Sequence, residues 1–208
     1  MVFYLHRYPK FFDRLYPNRV WRKKEKEKVI YLTFDDGPEP QITNWIIDLL
    51  GQYDIKATFF CVGENLSRYP EVKSKMLDAG HQLANHTHNH NNGRKTDWDT
   101  YRKSIQSCES QIGEIHSKKL FRPPYGKLSK AFGKRIAQEY EIIMWTVLSG
   151  DFDSKLTQEG VLKNTIRSTK SGSIVVFHDN IKCLEKNQWV LPRYLESMLE
   201  QGYKFELL

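Results

Sequence analysis

The chain has 208 residues, a formal net charge of +7, and hydrophobic and aromatic fractions of 39% and 13%, values that belong to one globular domain large enough to bury a full core. No apolar run approaches the roughly eighteen residues of a membrane span. Three scattered cysteines, Cys61, Cys108 and Cys183, exclude a disulfide framework or a zinc finger and are expected to be reduced thiols, and the positive charge comes with no nucleic-acid-binding motif.

The first 28 residues stand apart. Met1 to Tyr16 carries Phe3, Tyr4, Leu5, Phe11, Phe12 and Leu15, broken by His6, Arg7, Pro9, Lys10, Asp13 and Arg14, so it lacks the uninterrupted apolar stretch and small-residue cleavage site of a secretory signal. It is expected to pack on the domain rather than lie on a membrane, with the cytoplasm or a membrane periphery as default location. Arg19 to Lys28 is basic, but Glu25 and Glu27 dilute it into a solvated segment. Residues 1–28 are read as an extension and residues 29–208 as the domain proper.

From Val29 onward, short apolar runs alternate with helical patterns. Strands are predicted at Val29–Phe34, Ala57–Val62, Gln82–Asn85, Lys119–Phe121, Ile142–Val147, Ser173–Phe177 and Tyr203–Leu207. Helices are predicted near Ile42–Gln52, Pro70–Ala79, Trp98–Ile115, Lys130–Tyr140, Gln158–Thr169 and Pro192–Gln201, with Ser129 and Thr157 as N-caps and Gly80 and Gly202 as stops. Strict alternation makes a parallel sheet, and seven strands at this size are expected to form a single-domain α/β barrel, closed or nearly so.

The chemistry sits where these strands end. Asp35-Asp36-Gly37 closes the first strand with two adjacent carboxylates, an arrangement that a divalent cation relieves. A cation needs more ligands, and the dense histidine cluster lies in His81 to His90. His86 and His90, four apart, share one face on a helical turn and with one carboxylate give three ligands and an open position, the composition of a hydrolytic zinc site. His88 and His81 are read as structural, and His6 and His116 lie in segments without other chemical signal. Arg122, Asp151 and His178 follow the fourth, fifth and sixth strands, so all seven residues lie at carboxyl ends that a parallel barrel gathers on one face.

These motifs resemble those of the polysaccharide deacetylases, carbohydrate esterase family four, from about Val29 to the C-terminus. Thr33-Phe34-Asp35-Asp36-Gly37 matches the family's first motif, His86-Thr87-His88-Asn89-His90 the second, and Arg122-Pro123-Pro124-Tyr125-Gly126 the third. The fourth, Asp-x-x-Asp-Trp, is reduced to Leu148-Ser149-Gly150-Asp151-Phe152, and the fifth, Leu-x-His, reads Val176-Phe177-His178. The resemblance implies a distorted seven-stranded (β/α)7 barrel and a metal-dependent hydrolase that removes acetyl groups from N-acetylated or O-acetylated sugars. It implies Asp36, His86 and His90 as ligands of a divalent metal, zinc, and Asp35 as general base paired with Arg122. It further implies a backbone N–H at Tyr125 in the oxyanion site, and His178 as the leaving-group acid with Asp151 on its other ring nitrogen. Asp153 and Asp179 are alternative acids for His178 or Arg122.

Trp145, Phe152, Trp189 and Tyr125 are the aromatic residues expected near the strand ends, with core packing equally open for Trp145. The implied partner is an acetylated poly- or oligosaccharide. Two other readings stand beside this one: hydrolysis of a small amide or imide on the same barrel, since the changed fourth motif touches the substrate wall, and a silent glycan-binding relative, which would be expected to lose Asp35 or His178 before the ligands.

Overall fold

The computed structural model describes residues 6–9, 11–113 and 119–208. His116, the last residues of the helix predicted to Ile115, Lys10 and the aromatic start Phe3-Tyr4-Leu5 lie outside the described residues.

The central strand β1 (Val29–Asp35) shows how the sequence builds both the core and the site. Its side chains alternate as pleating demands. Ile30, Leu32 and Phe34 face one hydrophobic core, shared with the helices outside the sheet, and Val29 and Tyr31 face a second core inside the curl. Thr33 and Asp35 continue the inward row. Strands β2 (Thr58–Cys61), β3 (Gln82–Asn85), β4 (Leu120–Phe121), β5 (Glu141–Ile142), β6 (Val147–Leu148) and β7 (Ser173–His178) complete a parallel curled half-barrel in the order β5-β4-β3-β2-β1-β7-β6. The short β8 (Lys204–Phe205) pairs with the first residues of β1. In β7, Ile174 and Val176 face inward while Val175 and Phe177 face the helices, so the same period of two turns His178 inward.

The expected single strand Ile142–Val147 is two strands with no helix between them, so the strict alternation breaks there. The reason is Arg122: its Nε and Nη2 donate to the carbonyls of Ile143 (3.3 Å) and Met144 (3.1 Å), drawing that backbone out of the sheet ladder. Strands β5 and β6 are the free edges of the curl, and residues of the N-terminal segment occupy the opening. Val20 bridges Ile143, Arg7 bridges Val147, Tyr8 N–H donates to Thr146 O, and Leu148 N–H donates to His6 O. Around α1 (Phe12–Leu15), Tyr8, Phe12, Tyr16 and the buried Trp21 form an aromatic stack, and Tyr8 meets Trp145 edge-on.

Outside the sheet, α2 (Pro40–Gln52), α4 (Pro70–Asp78), α7 (Gln158–Ser168) and α8 (Leu184–Glu200) cover the first core, while α5 (Trp98–Ile112) and α6 (Lys130–Ile136) flank the second. Ser129 and Thr157 cap α6 and α7 by accepting the N–H groups of Phe132 and Gly160, and Glu39 caps α2 ahead of Pro40. Helix α8 begins at Leu184 rather than at Pro192. Val190, Leu191, Tyr194, Leu195 and Met198 are all buried on its inner face, which outweighs an interior proline that costs about 3 kcal/mol. A short helix not anticipated from the sequence, α3 (Gly63–Arg68), follows β2 directly. No helix among the described residues is long and apolar enough to cross a membrane.

If the N-terminal segment is part of the fold's structural closure, Trp21→Ala should destabilise the whole domain. Urea unfolding should show a loss of about 3–5 kcal/mol, the usual cost of emptying a buried tryptophan site, in one cooperative transition.

Candidate active site

Asp35 ends β1 on the inner face, and Arg122 arrives from the end of β4 to meet it. Nη1 of Arg122 lies 2.5 Å from Asp35 Oδ1 and 2.8 Å from Thr33 Oγ1, and the guanidinium stacks 3.9 Å above the Phe60 ring. Arg122 is 0% exposed. Burial pulls its pKa down while Asp35 opposes that, and its Nη1, Nε and Nη2 donate to four acceptors, a carboxylate, a hydroxyl and two carbonyls, beneath an aromatic face. A buried guanidinium is tolerated only when so fully partnered.

Asp36 adopts φ 85°, which swings its side chain away from Asp35 toward the loop after β3. Its Oδ1 is 3.1 Å from His90 Nε2 and 3.6 Å from His86 Nε2, and one donor atom from each of the three lies within 4.8 Å of the others. Both imidazoles are aimed by their other nitrogen: His86 Nδ1 is 2.7 Å from the Arg122 carbonyl, and His90 Nδ1 is 3.1 Å from the Tyr125 hydroxyl. That leaves Nε2 of each facing Asp36. Burial pushes the His86 pKa down to about 4, against the opposing charges of Asp35 and Asp36, so its ring is neutral. Burial would raise the Asp36 carboxyl, but above all the His90 hydrogen bond and the His178 charge hold it far below the usual carboxylate range. A carboxylate and two imidazoles converging through one atom each, with both rings held from behind, are what a divalent cation requires.

The helical turn expected over His86 to His90 is absent. The segment is an irregular loop in which Thr87 (φ 64°) and His90 (φ 52°) are left-handed. Asn85 Oδ1 accepts the Thr87 N–H, Thr87 Oγ1 accepts the Asn91 N–H, and Ser104 Oγ accepts from His88 and Asn89. The two histidines of this four-residue spacing meet by a route other than helical periodicity.

On the other side of the site, His178 Nδ1 is 2.8 Å from Asp151 Oδ1, and Asp151 Oδ2 accepts the His178 backbone N–H at 2.7 Å. Ser149, Phe152 N–H and Asn187 Nδ2 supply further bonds to Asp151. Burial works against both charged forms. For Asp151 the His178 charge and these donors prevail and lower the pKa. For His178 burial is outweighed by Asp151, Asp36 and Asp35, and the pKa is pushed up to about 10. The imidazolium therefore persists at neutral pH with Nε2 free to face a substrate. Phe152, 40% exposed, lies edge-on to His178 at 5.1 Å, and Tyr125, 60% exposed at φ 60°, stands against His90 at 4.6 Å.

The alternative acids do other work. Asp153 Oδ1 accepts the Lys155 N–H. Asp179, buried, accepts the Gly37 N–H and the Thr43 hydroxyl, and burial pushes its carboxyl up to about 7 despite those two donors. Trp189 packs against the outer core with the Arg193 guanidinium 4.3 Å over its ring, instead of lining the site. Trp145 is buried inside the curl, 5.8 Å from the Arg122 guanidinium. Asn187, fully buried and donating to both Asp151 Oδ2 and the His178 carbonyl, belongs to the site but carries no motif. Only its place one turn into α8, opposite the β7 exit, reveals it.

Known proteins resemble this chain in sequence and in fold. A peptidoglycan-N-acetylglucosamine deacetylase of Bacillus cereus is 31% identical over 189 residues, covering 89% of each chain, and the peptidoglycan-N-acetylmuramic acid deacetylase PdaC of Bacillus subtilis is 28% identical over 86% of this chain and 37% of its own length. The crystal structure of the Bc1960 peptidoglycan N-acetylglucosamine deacetylase superposes with a TM-score of 0.88 at 27% identity, over 97% of this chain and 95% of that one. BA3943, described as a pseudoenzyme of Bacillus anthracis, superposes at 0.78 with 25% identity over 90% of this chain and 66% of its own. With residues 22–144 matching the polysaccharide deacetylase family model, the chain belongs to the polysaccharide deacetylase family.

Proposed function

We propose that the chain is a metal-dependent hydrolase that removes the acetyl group from N-acetylated sugars of a peptidoglycan-like glycan. What supports this reading is that the Asp36, His86 and His90 group lies at the same strand ends as Asp35, clamped by Arg122, and His178, which is held by Asp151 and is the register partner of Asp35. Relatives named as peptidoglycan deacetylases support the substrate class.

A divalent cation held by Asp36, His86 and His90, zinc in this reading, would supply Lewis-acid polarisation of the acetyl carbonyl and acidification of water. The chain's own residues do the rest. Asp35 takes a proton from the attacking water, with Arg122 and Thr33 fixing the guanidinium against Oδ1 so that the second oxygen faces the substrate. The backbone N–H of Tyr125 donates to the developing oxyanion. His178 then gives the Nε2 proton to the departing nitrogen as the carbon–nitrogen bond breaks, releasing acetate and a free amine. Asp151 holds Nδ1–H and stabilises the charged ring until that moment. Exposed Tyr125 and Phe152 offer ring faces to a sugar at the rim.

Asp35→Asn should bind zinc with unchanged stoichiometry by atomic absorption, while acetate release from N-acetylglucosamine oligomers falls by about 10²–10⁴-fold, the range for removal of a general base; undiminished release would assign the base elsewhere. Dialysis against chelator should abolish activity, and added Zn²⁺ should restore it. Because the His178 pKa is raised, the acid form is present at neutral pH and lost as pH rises through about 10. Asp151→Asn removes the main raising influence, so the alkaline limb of kcat/KM should move to lower pH. Turnover by the wild type is also what separates this reading from a silent relative such as BA3943.

A further inference from the structure

Two adjacent carboxylates could exchange roles with a modest backbone rotation, so something must hold Asp36 toward the histidines and Asp35 toward Arg122. The peptide unit between Asp36 and Gly37 is gripped at both ends by side chains from separate elements. Asn65 Nδ2, from α3, donates to the Asp36 carbonyl at 2.9 Å, and Asp179 Oδ1, just past β7, accepts the Gly37 N–H at 2.9 Å. The next carbonyl, that of Gly37, accepts the Val62 N–H at 2.8 Å. Asp179 is in turn held by the Thr43 hydroxyl, and its own N–H donates to the Asp35 carbonyl.

The same α3 terminus reaches the other ligand loop. Gly63 N–H donates to Thr87 O and Glu64 N–H to His88 O, both at 3.0 Å. Side chains are excluded at the two closest approaches. A Cβ on Gly37 would lie 1.8 Å from Asp179 Oδ2, and one on Gly63 would lie 2.6 Å from His88 Nδ1 and 2.7 Å from the Cys108 Cα. Both glycines are needed for the backbone to come this near.

We propose that Asn65 and Asp179 are positioning residues that lock the Asp36–Gly37 peptide plane, and through it set the geometry in which Asp36 meets His86 and His90. Neither touches a substrate or a donor atom of the ligand set. They act by preventing the rotation that would return Asp36 to the path of an ordinary strand, where its carboxylate would compete with Asp35. The inference rests on the reading of Asp36 as a ligand, not on the identity of the glycan.

The test is Co²⁺ titration of the purified full chain, followed by its visible absorption, together with zinc competition. Asp179→Ala and Asn65→Ala should each weaken binding by about 10–100-fold, as loss of outer supports to ligands does, and should alter the Co²⁺ spectrum. Combined, they should cost less than the product of the two, since both hold one peptide unit. Asp179→Asn, which keeps an acceptor oxygen for the Gly37 N–H, should recover most of the affinity. Met198→Ala, a core truncation in α8, should lower thermal stability without moving affinity or spectrum. If Asp179→Ala does not fold, the half-buried Asn65 carries the test. Wild-type affinity and spectrum in the folded alanine variants, or an equal loss in Met198→Ala, would overturn the proposal. A wild-type protein that grips Co²⁺ but hydrolyses no acetylated glycan ends the enzymatic reading and leaves the clamp standing; one that binds no divalent ion overturns both.

Discussion

The contact between Arg122 and Asp35 is the constraint around which this molecule is organised. A guanidinium with no solvent exposure must spend every donor on protein, and the partners that satisfy Arg122 are the strand-end carboxylate, the Thr33 hydroxyl and the Ile143 and Met144 carbonyls. Meeting the last two breaks the fifth run of the sheet into β5 and β6. The Arg122 backbone carbonyl meanwhile fixes the His86 ring. One side chain and its own peptide thus connect the proposed base, a proposed ligand and the gap in the half-barrel.

Charge is arranged in opposite senses on the two sides of the site. On the Asp36 side a desolvated neutral imidazole faces an ionised carboxylate, and on the Asp151 side an imidazolium is sustained by a carboxylate that collects donors from Ser149, Phe152, His178 and Asn187. The two histidines reach opposite protonation states through burial against different neighbours. His86 has no donor-rich acid on its outer nitrogen, only a carbonyl, whereas His178 has Asp151.

Much of this was legible in the chain because period-two alternation and position at strand ends are local properties. Val29 to Asp35 announces which residues face inward, and the same parity places His178. The chemistry-bearing residues stood out as acids and histidines closing apolar runs. What stayed hidden depends on non-local demands. The split between β5 and β6 answers a guanidinium some twenty residues away in sequence, the left-handed turns at Thr87 and His90 replace a helical turn of the same spacing, and Asn187 and Asn65 carry no motif because they act by bonding groups far away in sequence. Trp189, expected near the strand ends, is instead partly buried against the outer core.

The opening of the half-barrel is occupied by the chain's first described residues, and His6 meets Leu148 across a separation of 142 positions. Strand β1 has a similar problem, since it pairs along most of its length with β7. A ribosome therefore releases β1 long before its principal neighbour exists, and the aromatic plug must wait even for the edges it will seal. Strands β1 to β5 pair with their neighbours in sequence and can join in the order they are made, but β7 and β6 meet β1 only when nearly the whole domain is out, so completion of the sheet must follow translation, at the slow rates that long loop closures impose.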